Sequence, residues 1–440
     1  DSVILYAVER TPGGAFVRNV AANWSLLDTS GEVNDAHLVV APDRKSAVFN
    51  AIRNGSASVR ATAGTATTSV ASGMLTVAGP TVHSPGQPRP FIWVRESEKP
   101  AILEKIATQP WADSAFKALV ARAAPAVSQH QANRDAFLRG LPILWTRAIP
   151  VFNAIGLTGS ESAVRGAAES KFNQALDCAV LYYLTGDEKY ARCAADILHN
   201  SVQAFVNLHI DRDLLVGGWL FQKEFLKEAR VTGTQLPIVY DFLYNYLQTH
   251  QVYSVAAGAD VNFGEPEAQF VFRTFYQIAR DHGNDNTNWA SLESTSMNNN
   301  LLALNKDAER AAAIRVALVT GKAGRQASLK LDAEKYRQAG DIWPESLQYS
   351  GEVGENSVKL MILHERYDPS LRLFDEYPNV AISLSRKAYM QYPNREQISF
   401  GDGHRYTGGQ PFRSYEMAYA HSKERGYTRY TSHYGALING

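Results

Sequence analysis

Residues 172–205 read FNQALDCAVLYYLTGDEKYARCAADILHNSVQAF, and their apolar pattern decides the fold of most of the chain. Apolar residues recur at helical spacing on both sides of a central turn. The two stripes are Phe172, Leu176, Ala179, Tyr183 and Tyr190, Ala194, Ile197, Val202, Phe205. Between them, residues 185–188 (TGDE) combine a glycine that suits a helix C-terminus with acids that suit the next N-terminus. The stretch therefore predicts two antiparallel helices joined by a tight turn.

The same helical pattern continues through the rest of the chain, where strand-like alternation is nearly absent from residue 100 onward. Further stripes occupy 236–247, 270–279, 314–318, 358–363 and 415–419. A dozen or so helices with no fixed sequence repeat predict hairpins packed side by side rather than a solenoid. We therefore expect an α/α toroid, an incomplete α/α barrel, in which the loops and inner helix ends at one face line a groove.

The first eighty residues have a different composition. They are rich in Val, Thr, Ser, Ala and Gly, with alternating runs at 57–62 (ASVRAT) and 74–77 (MLTV) separated by turn residues. This pattern is typical of an antiparallel β-sandwich. With AANWSLLDTSGEV (21–33) and NGSASVRATAG (54–64), it resembles a bacterial immunoglobulin-like domain.

A proline-rich stretch at 84–90 (SPGQPRP) separates the two patterns and predicts a stiff, extended linker. The 440 residues also exceed what one small core needs, which favours more than one domain. The predicted fold class is multidomain β plus α. Its parts are an immunoglobulin-like β-sandwich at 1–84, a linker at 85–90, and an α/α toroid catalytic domain at 91–440.

Composition excludes several function classes. Formal net charge is zero, so no overall field attracts nucleic acid or an anionic membrane. No apolar run approaches the roughly 18 residues that a membrane span needs. A polyanionic substrate would therefore need a local basic groove. The immunoglobulin-like module predicts a secreted or periplasmic protein, and the start at Asp1 suggests a mature or trimmed chain.

Neither cysteine chemistry nor a metal site is indicated. Cys178 and Cys193 flank the 185–188 turn, so a disulfide is geometrically possible, but two buried free thiols are favoured. His209, Asp211 and Asp213 offer three metal ligands without a fourth. We expect no metal and no cofactor, and the sequence leaves the oligomeric state open.

Three polar stretches carry the residue types of one particular chemistry. They are residues 284–300 with six asparagines, 340–350 (GDIWPESLQYS) and 399–406 (SFGDGHRY). Removing the C5 proton of a uronate requires donors or cations that neutralise the adjacent carboxylate. It also requires a base near C5 and an acid near the leaving oxygen. Asn, Tyr, His and Arg brought together from separate helix ends meet these requirements.

Tyr349 is the candidate proton carrier. The free phenol has a pKa of about 10, which a nearby Arg or Lys lowers, and Arg337 lies in the preceding helix end. Trp343 and Glu345 flank the tyrosine as candidate substrate-binding residues. The alternative is a half-buried tyrosine whose hydroxyl is tied to Glu345.

The asparagine stretch predicts a loop that ends at Asn288 and a helix that begins near Trp289, both candidate substrate-binding residues. Asn298 and Asn299 then fall inside the helix, where Asn is unfavourable. We expect one or two of these amides to reach the groove as neutral donors. The alternative is solvent exposure with one interhelical hydrogen bond.

The third stretch contributes His404 as a candidate catalytic residue and Arg405 as a candidate substrate-binding residue. Asp402 and Arg405 could set the tautomer of His404 and strengthen the local positive charge. The competing reading is an exposed or structural histidine. Trp289 and Trp343 could likewise stack on sugar rings or belong to the core.

From residue 89 to the end, the chain resembles the heparinase II/III-like and alginate-lyase-like polysaccharide lyases with an α/α toroid. The resemblance rests on segments 182–192 (YYLTGDEKYAR), 286–304 (NTNWASLESTSMNNNLLAL), 340–349 (GDIWPESLQY) and 393–404 (PNREQISFGDGH). It implies that Tyr349 is the base, the acid or both. It also implies that Asn298 or Asn299 neutralises the carboxylate and that His404 is the second-half histidine.

Two departures from that family matter. The family often has an Asn-His pair in the first motif, whereas this chain has only asparagines there, which leaves open which residue neutralises the carboxylate. Many relatives carry a C-terminal β-sandwich, while this chain stops after a helix. That difference predicts either an open groove favouring endolytic cleavage or a longer natural chain.

The sequence therefore predicts a lyase that cleaves an anionic, uronate-containing polysaccharide by β-elimination. Alginate is the first choice of substrate, with glucuronan, ulvan and glycosaminoglycans as alternatives. A glycoside hydrolase on a similar toroid, which needs two separated carboxylates, is the first rival. A non-catalytic glycan-binding surface protein is the second.

Overall fold

The computed structural model describes most of the chain. The described ranges are 2–64, 72–77, 87–146, 149–153, 161–210, 217–221, 227–394, 396–403 and 411–439. Within them, short antiparallel strands come first and a large helical part follows, so the predicted β-plus-α order is confirmed.

The N-terminal strands form three small antiparallel sheets. The strands are β1 Ser2–Tyr6, β2 Val8–Arg10, β3 Phe16–Asn19, β4 Asn23–Gly31, β5 Leu38–Val40, β6 Ser46–Asn50, β7 Gly55–Thr62 and β8 Leu75–Val77. Their orders are β1-β6-β5, β2-β3 and β4-β7-β8. Alternate residues of β6 and β7, such as Phe49, Ala57 and Val59, face a small shared core, as a half-buried strand requires.

The helical part contains fifteen α-helices within the described residues. They are α1 Lys99–Thr108, α2 Pro110–Ala132, α3 Arg134–Leu138, α4 Glu161–Thr185, α5 Glu188–Val206, α6 Leu236–Leu247, α7 Glu265–His282, α8 Trp289–Ala303, α9 Asp307–Arg315, α10 Leu329–Gln338, α11 Leu347–Tyr367, α12 Leu373–Glu376, α13 Pro378–Tyr389, α14 Phe412–Arg425 and α15 Thr428–Asn439. Two π-helical turns occupy Glu228–Thr232 and Val316–Thr320. Two short hairpins, Ile143–Thr146 with Ile149–Phe152 and Val252–Ser254 with Ala259–Val261, add strands that the helical pattern did not predict.

The predicted hairpin of α4 and α5 is present. Gly186 has a φ of 74°, the left-handed conformation that a helix end favours in glycine. The Asp187 side chain then accepts a hydrogen bond from the Lys189 backbone N–H and caps α5. Cys178 and Cys193 are buried free thiols rather than a disulfide. Their hydrogen bond and their burial raise the pKa of Cys193.

The helices pack around two separate apolar cores. The larger contains residues of α2 and of α4 to α8, including Phe172 and Phe205, together with Trp219 of the segment between α5 and α6. The smaller contains residues of α10 to α15, including Tyr336 and Phe374. Helix α8 belongs to the larger core and α11 to the smaller, so their contact joins the two.

Helices α8 and α11 run parallel, since their contacts advance together along both. Ser291 Oγ donates to Val353 O at 3.3 Å near one end. Asn298 Oδ1 lies 2.5 Å from His364 Nε2 near the other. This side-by-side arrangement brings two of the predicted polar stretches together.

The segment before α1 is anchored to the helical part. Arg89 is buried, and its Nη1 lies 2.7 Å from the buried carboxylate of Asp241 in α6. The second carboxylate oxygen of Asp241 accepts hydrogen bonds from the backbone N–H groups of Phe91 and Ile92 at 2.9 and 2.8 Å. Residues 89–92, where the proposed linker meets the helical part, therefore hold a fixed position against α6.

Candidate active site

A groove follows the contact between α8 and α11. It consists of two adjoining cavities that share the lining residues Trp93, Thr295, Asn299 and Asn356. The first, here called the histidine cavity, has a volume of about 480 Å³ and is also lined by Asn298, Lys359, Arg366, His421 and Glu424. The second, the arginine cavity, has a volume of about 360 Å³ and is also lined by Asn173, Arg230, Thr234 and Gln235.

Asn298 forms a buried pair with a histidine from the neighbouring helix. Its Nδ2 donates to Ser294 O at 2.6 Å, so its Oδ1 faces His364 Nε2, which must be the donor. Burial lowers the pKa of His364 to about 4, so the ring is neutral at neutral pH. An amide nitrogen has two N–H donors, and one of them is not used by Ser294. Because the Asn298 carbonyl already accepts a hydrogen bond, that second N–H is polarised more strongly, and Asn298 lines the histidine cavity.

The asparagine run also holds a distant loop. Asn299 Nδ2 donates to Thr234 O at 3.0 Å, and Asn300 Nδ2 donates to Gly233 O at 2.7 Å. Both asparagines are buried, so the predicted alternative of solvent exposure is wrong. Buried carbonyls need hydrogen-bond donors. The two amides supply these donors, which explains the presence of asparagine at helix positions where its propensity is unfavourable.

Tyr349 lies on α11, half-buried, and lines neither cavity of the groove. Asn356, seven residues later, shares its helix face about 10 Å further along the axis. The Tyr349 hydroxyl has no hydrogen bond to any described residue, so the predicted alternative in which Glu345 holds it is wrong. The carboxylate of Glu345 instead accepts hydrogen bonds from Asn288 Nδ2 at 3.3 Å and Trp343 Nε1 at 3.2 Å. The catalytic role of Tyr349 stays a prediction.

The other residues predicted from 284–350 have contrasting positions. Trp289 is half-buried, and the guanidinium of Arg230 lies 5.2 Å from its ring centre. Trp343 is buried against Tyr336 at 5.7 Å between ring centres, outside the groove lining. Arg337 is exposed, pairs with a carboxylate of its own helix, and lines a separate cavity beside α13.

His404 and Arg405 lie outside the described residues. The residues just before them reach the N-terminus of α11, where a Cβ added to Gly403 would lie 3.0 Å from the Cβ of Ser346. Since Asn288 contacts Glu345 at the same end, the described parts of the three polar stretches meet there. These stretches were expected to meet, although the groove itself lies further along α8 and α11.

Sequence reasoning missed the histidine that lines the groove. His421, in α14, has its Nε2 2.9 Å from Glu365 Oε2, and Tyr427 donates its hydroxyl to Glu365 Oε1 at 2.8 Å. Burial opposes ionisation of Glu365, but the hydrogen bonds from His421 and Tyr427 outweigh it and hold its pKa below the usual value. An ionised carboxylate behind an imidazole orients a histidine for proton transfer. No sequence signal links these residues, because 56 positions separate Glu365 from His421.

Charge is distributed unevenly along the groove. In the histidine cavity, Lys359 pairs with Glu355 on its own helix. Arg366 lies 2.6 Å from Glu98, with Glu424 at 4.0 Å. Within the described residues, no group of three His, Cys, Asp or Glu side chains could hold a metal ion. None of the described helices combines the length and apolar character that a membrane crossing requires.

Two comparisons with known proteins bear on this site. Residues 339–440 match a protein family described as the second domain of endo-acting ulvan lyase. The chain is also 26% identical, over 349 residues, to the endo-acting ulvan lyase of Formosa agariphila. That alignment covers 77% of this chain and 41% of the relative, so the chain spans about two fifths of the relative's length. The matched family region includes α11 and α14, which form one side of the histidine cavity.

Proposed function

We propose that this protein is a polysaccharide lyase that cleaves a uronate-containing polysaccharide by β-elimination in the groove between α8 and α11. The observation that carries the proposal is the ulvan-lyase match over residues 339–440, which contains the α11 and α14 side of that groove. The relative and the family both have ulvan in their names, so ulvan replaces alginate as the preferred substrate.

The groove supplies the donors that the reaction needs. In β-elimination a base removes the C5 proton, the electrons of that bond form the C4–C5 double bond, and the C4–O bond breaks. Negative charge builds on the carboxylate beside C5, so fixed donors there lower the barrier. The free N–H of Asn298, held by Ser294 and His364, is such a donor on the groove wall.

There are two alternatives for the side chains that carry out the proton transfers. Tyr349 is the carrier predicted from the sequence, with His404 as its partner. His421 is the histidine that lines the cavity beside Asn298, and Glu365 orients it. A base must come within hydrogen-bond reach of the proton it removes, so the geometry favours His421 for one of the two transfers.

The hydrolase alternative finds less support. Hydrolysis of a glycosidic bond uses two carboxyl groups about 5 to 10 Å apart. Among the described residues that line the groove, Glu424 is the one carboxylate, and it lies 4.0 Å from Arg366.

The proposal extends to architecture and location. We propose that α1 to α15 belong to an incomplete α/α toroid and that the N-terminal sheets belong to an immunoglobulin-like β-sandwich. The hairpin packing of α4 with α5 and of α14 with α15 supports the first part. We also propose secretion or export to the periplasm, which fractionation of expressing cells tests.

One assay tests the activity. The protein is incubated with ulvan, alginate, glucuronan and a glycosaminoglycan, and the ultraviolet absorbance of the new double bond is followed beside the release of reducing ends. A lyase gives both signals, with ulvan giving the faster rate. Reducing ends without absorbance would establish a hydrolase, and neither signal on any polymer would leave a binding protein.

A further inference from the structure

The arginine cavity contains a cation that no described carboxylate pairs with. Arg230 is exposed there and has neither an ion pair nor a hydrogen bond with any described residue. Its guanidinium lies 5.2 Å from the ring centre of Trp289, and this cation–π contact positions the guanidinium against one wall of the cavity. Lys359 and Arg366 of the histidine cavity, by contrast, both have acidic partners. Among the described cations that line the groove, Arg230 is therefore the one that can bind a further anion.

Arg230 acts electrostatically on the carboxyl group of Glu293. This carboxyl group does not neutralise the arginine. Glu293 is fully buried in α8, and within the part of the chain that the structure describes neither of its oxygens has a hydrogen-bond partner. Burial raises the pKa of Glu293 to about 8, although Arg230 lowers it. The side chain is therefore mainly protonated at neutral pH, and the positive charge of Arg230 remains available.

Two fixed amide oxygens accompany this cation. Gln235 Nε2 donates to Asn173 Oδ1 at 3.3 Å, and Asn299 Nδ2 donates to Thr234 O at 3.0 Å. These bonds fix which way each amide points. Gln235 Oε1 and Asn299 Oδ1 then have no donor among the described residues, although the two side chains are only 9% and 2% exposed. Buried acceptors without a donor are unfavourable, and sugar hydroxyls are the donors that would satisfy them.

Trp93 supplies the remaining element of sugar recognition. It lines both cavities, is 42% exposed, and follows the segment that Asp241 holds through Phe91 and Ile92. An exposed aromatic face on a fixed backbone suits the apolar face of a sugar ring. Its position where the cavities meet places such a ring between Arg230 and Asn298.

We propose that the arginine cavity is a second sugar subsite, in which Arg230 binds the anionic group of a sugar adjacent to the one that reacts. The amide oxygens of Gln235 and Asn299 accept hydrogen bonds from its hydroxyls, and Trp93 stacks on the chain at the boundary. The anion is a uronate carboxylate or a sulfate ester, which present the same chemistry to a guanidinium. The proposal rests on the function proposed above, since it takes the histidine cavity as the place of elimination.

The test compares Arg230→Gln with Arg315→Gln. Arg315 is an exposed arginine of α9 that also lacks an ion pair among the described residues and lines neither cavity. We expect Arg230→Gln to raise KM for the polymer about tenfold or more, as loss of a charge-assisted hydrogen bond implies, while kcat stays within about twofold. Arg230→Lys should recover part of this loss, and Arg315→Gln should match the wild type. An unchanged KM in Arg230→Gln would overturn the subsite.

Sulfated and desulfated forms of one uronate polymer identify the anion. If Arg230 binds sulfate, the difference between wild type and Arg230→Gln disappears on the desulfated polymer; if it binds carboxylate, the difference persists. Trp93→Ala should weaken binding in the same assays, whereas Trp111→Ala, which changes a 67% exposed tryptophan of α2, should not.

Affinity electrophoresis in gels containing the polymer separates this proposal from the catalytic one. Arg230-dependent retardation of a protein without lyase activity would refute the proposed function and support the subsite. Lyase activity with equal retardation of wild type and Arg230→Gln would refute the subsite alone.

Discussion

Replacing Arg89 by methionine should strongly destabilise the helical part, because it leaves a buried carboxylate without its cation. Both side chains are almost completely buried, at 0% exposure for Arg89 and 1% for Asp241. Arg89 Nη2 also donates to Ala303 O at 2.9 Å and to Asn305 Oδ1 at 3.1 Å, and these acceptors would lose their donor. Removing one partner of a buried ion pair costs about 3–5 kcal/mol. This is a large share of the roughly 5–15 kcal/mol that stabilises a typical domain.

The loss should depend on pH in a defined direction. Burial raises the pKa of Asp241, and Arg89 opposes that shift, so Arg89→Met raises the pKa of Asp241 further. Above the unfolded pKa of about 4, the folded state then retains a proton that the unfolded state has lost. The stability of Arg89→Met should therefore fall as pH rises from about 5 to 8, and its deficit should be smaller at pH 5.

Urea denaturation followed by circular dichroism measures these differences at both pH values. Adding Asp241→Asn to Arg89→Met removes the uncompensated charge and should restore at least about 1 kcal/mol. Arg122→Met, which breaks a surface pair with Asp177 at 2.6 Å, is the matched control and should cost less than about 1 kcal/mol. A deficit in Arg89→Met below 1 kcal/mol, equal at both pH values, would refute the assigned energetics.

Three further changes test separate parts of the account. Glu293→Gln should remove a fall in stability between pH 5 and 8 of at most about 1.4 kcal/mol per pH unit, because the folded pKa of Glu293, about 8, exceeds the ordinary 4.5. Melting temperatures across that pH range check this. Asn300→Ala should cost about 1–3 kcal/mol in urea denaturation by leaving the Gly233 carbonyl without its donor. Tyr349→Phe tests the proton carrier predicted from the sequence: lost turnover with an unchanged melting temperature would support that role, whereas near-normal rates would leave the transfers to His421.

The helical framework could be predicted because its signals are local. The turn at 185–188 predicted the end of α4 and the start of α5, and the asparagine-rich loop predicted a helix start at Trp289, where α8 begins. Each of these features depends on residues within a few turns of one another. Sequence periodicity and capping chemistry therefore sufficed.

The groove could not be predicted in the same way, because its pairs come from distant positions. His364 lies in an apolar stretch of α11, and the sequence alone predicts a core residue there. Its partner Asn298 belongs to α8, 66 positions away, and meets it because the two helices pack side by side. Arg89 lies in a proline-rich run that predicts a stiff, extended linker, yet its ion pair with Asp241, 152 positions later, holds it in the interior. That same burial carries Trp93 to the groove.

The chemical class was easier to predict than its residues. Amide donors are what a uronate lyase needs, and Asn298 and Asn299 of the asparagine run line the histidine cavity; their role in the reaction stays a prediction. Propensity alone could not separate these from Asn300, which binds the Gly233 carbonyl instead. Side-chain direction within one helical turn depends on which neighbour packs against each face.

The rate of double-bond formation from ulvan by the wild type and by Asn298→Ala, read as ultraviolet absorbance, tests the central claim most directly. We predict a clear rate for the wild type. For the variant we predict a loss of about 100-fold or more in kcat, as removal of a donor to a developing oxyanion implies. The native fold should be retained, with a stability loss of about 1–3 kcal/mol because buried His364 loses its acceptor. Equal rates in the two proteins would contradict the assignment of the groove, and reducing ends without absorbance would contradict elimination itself.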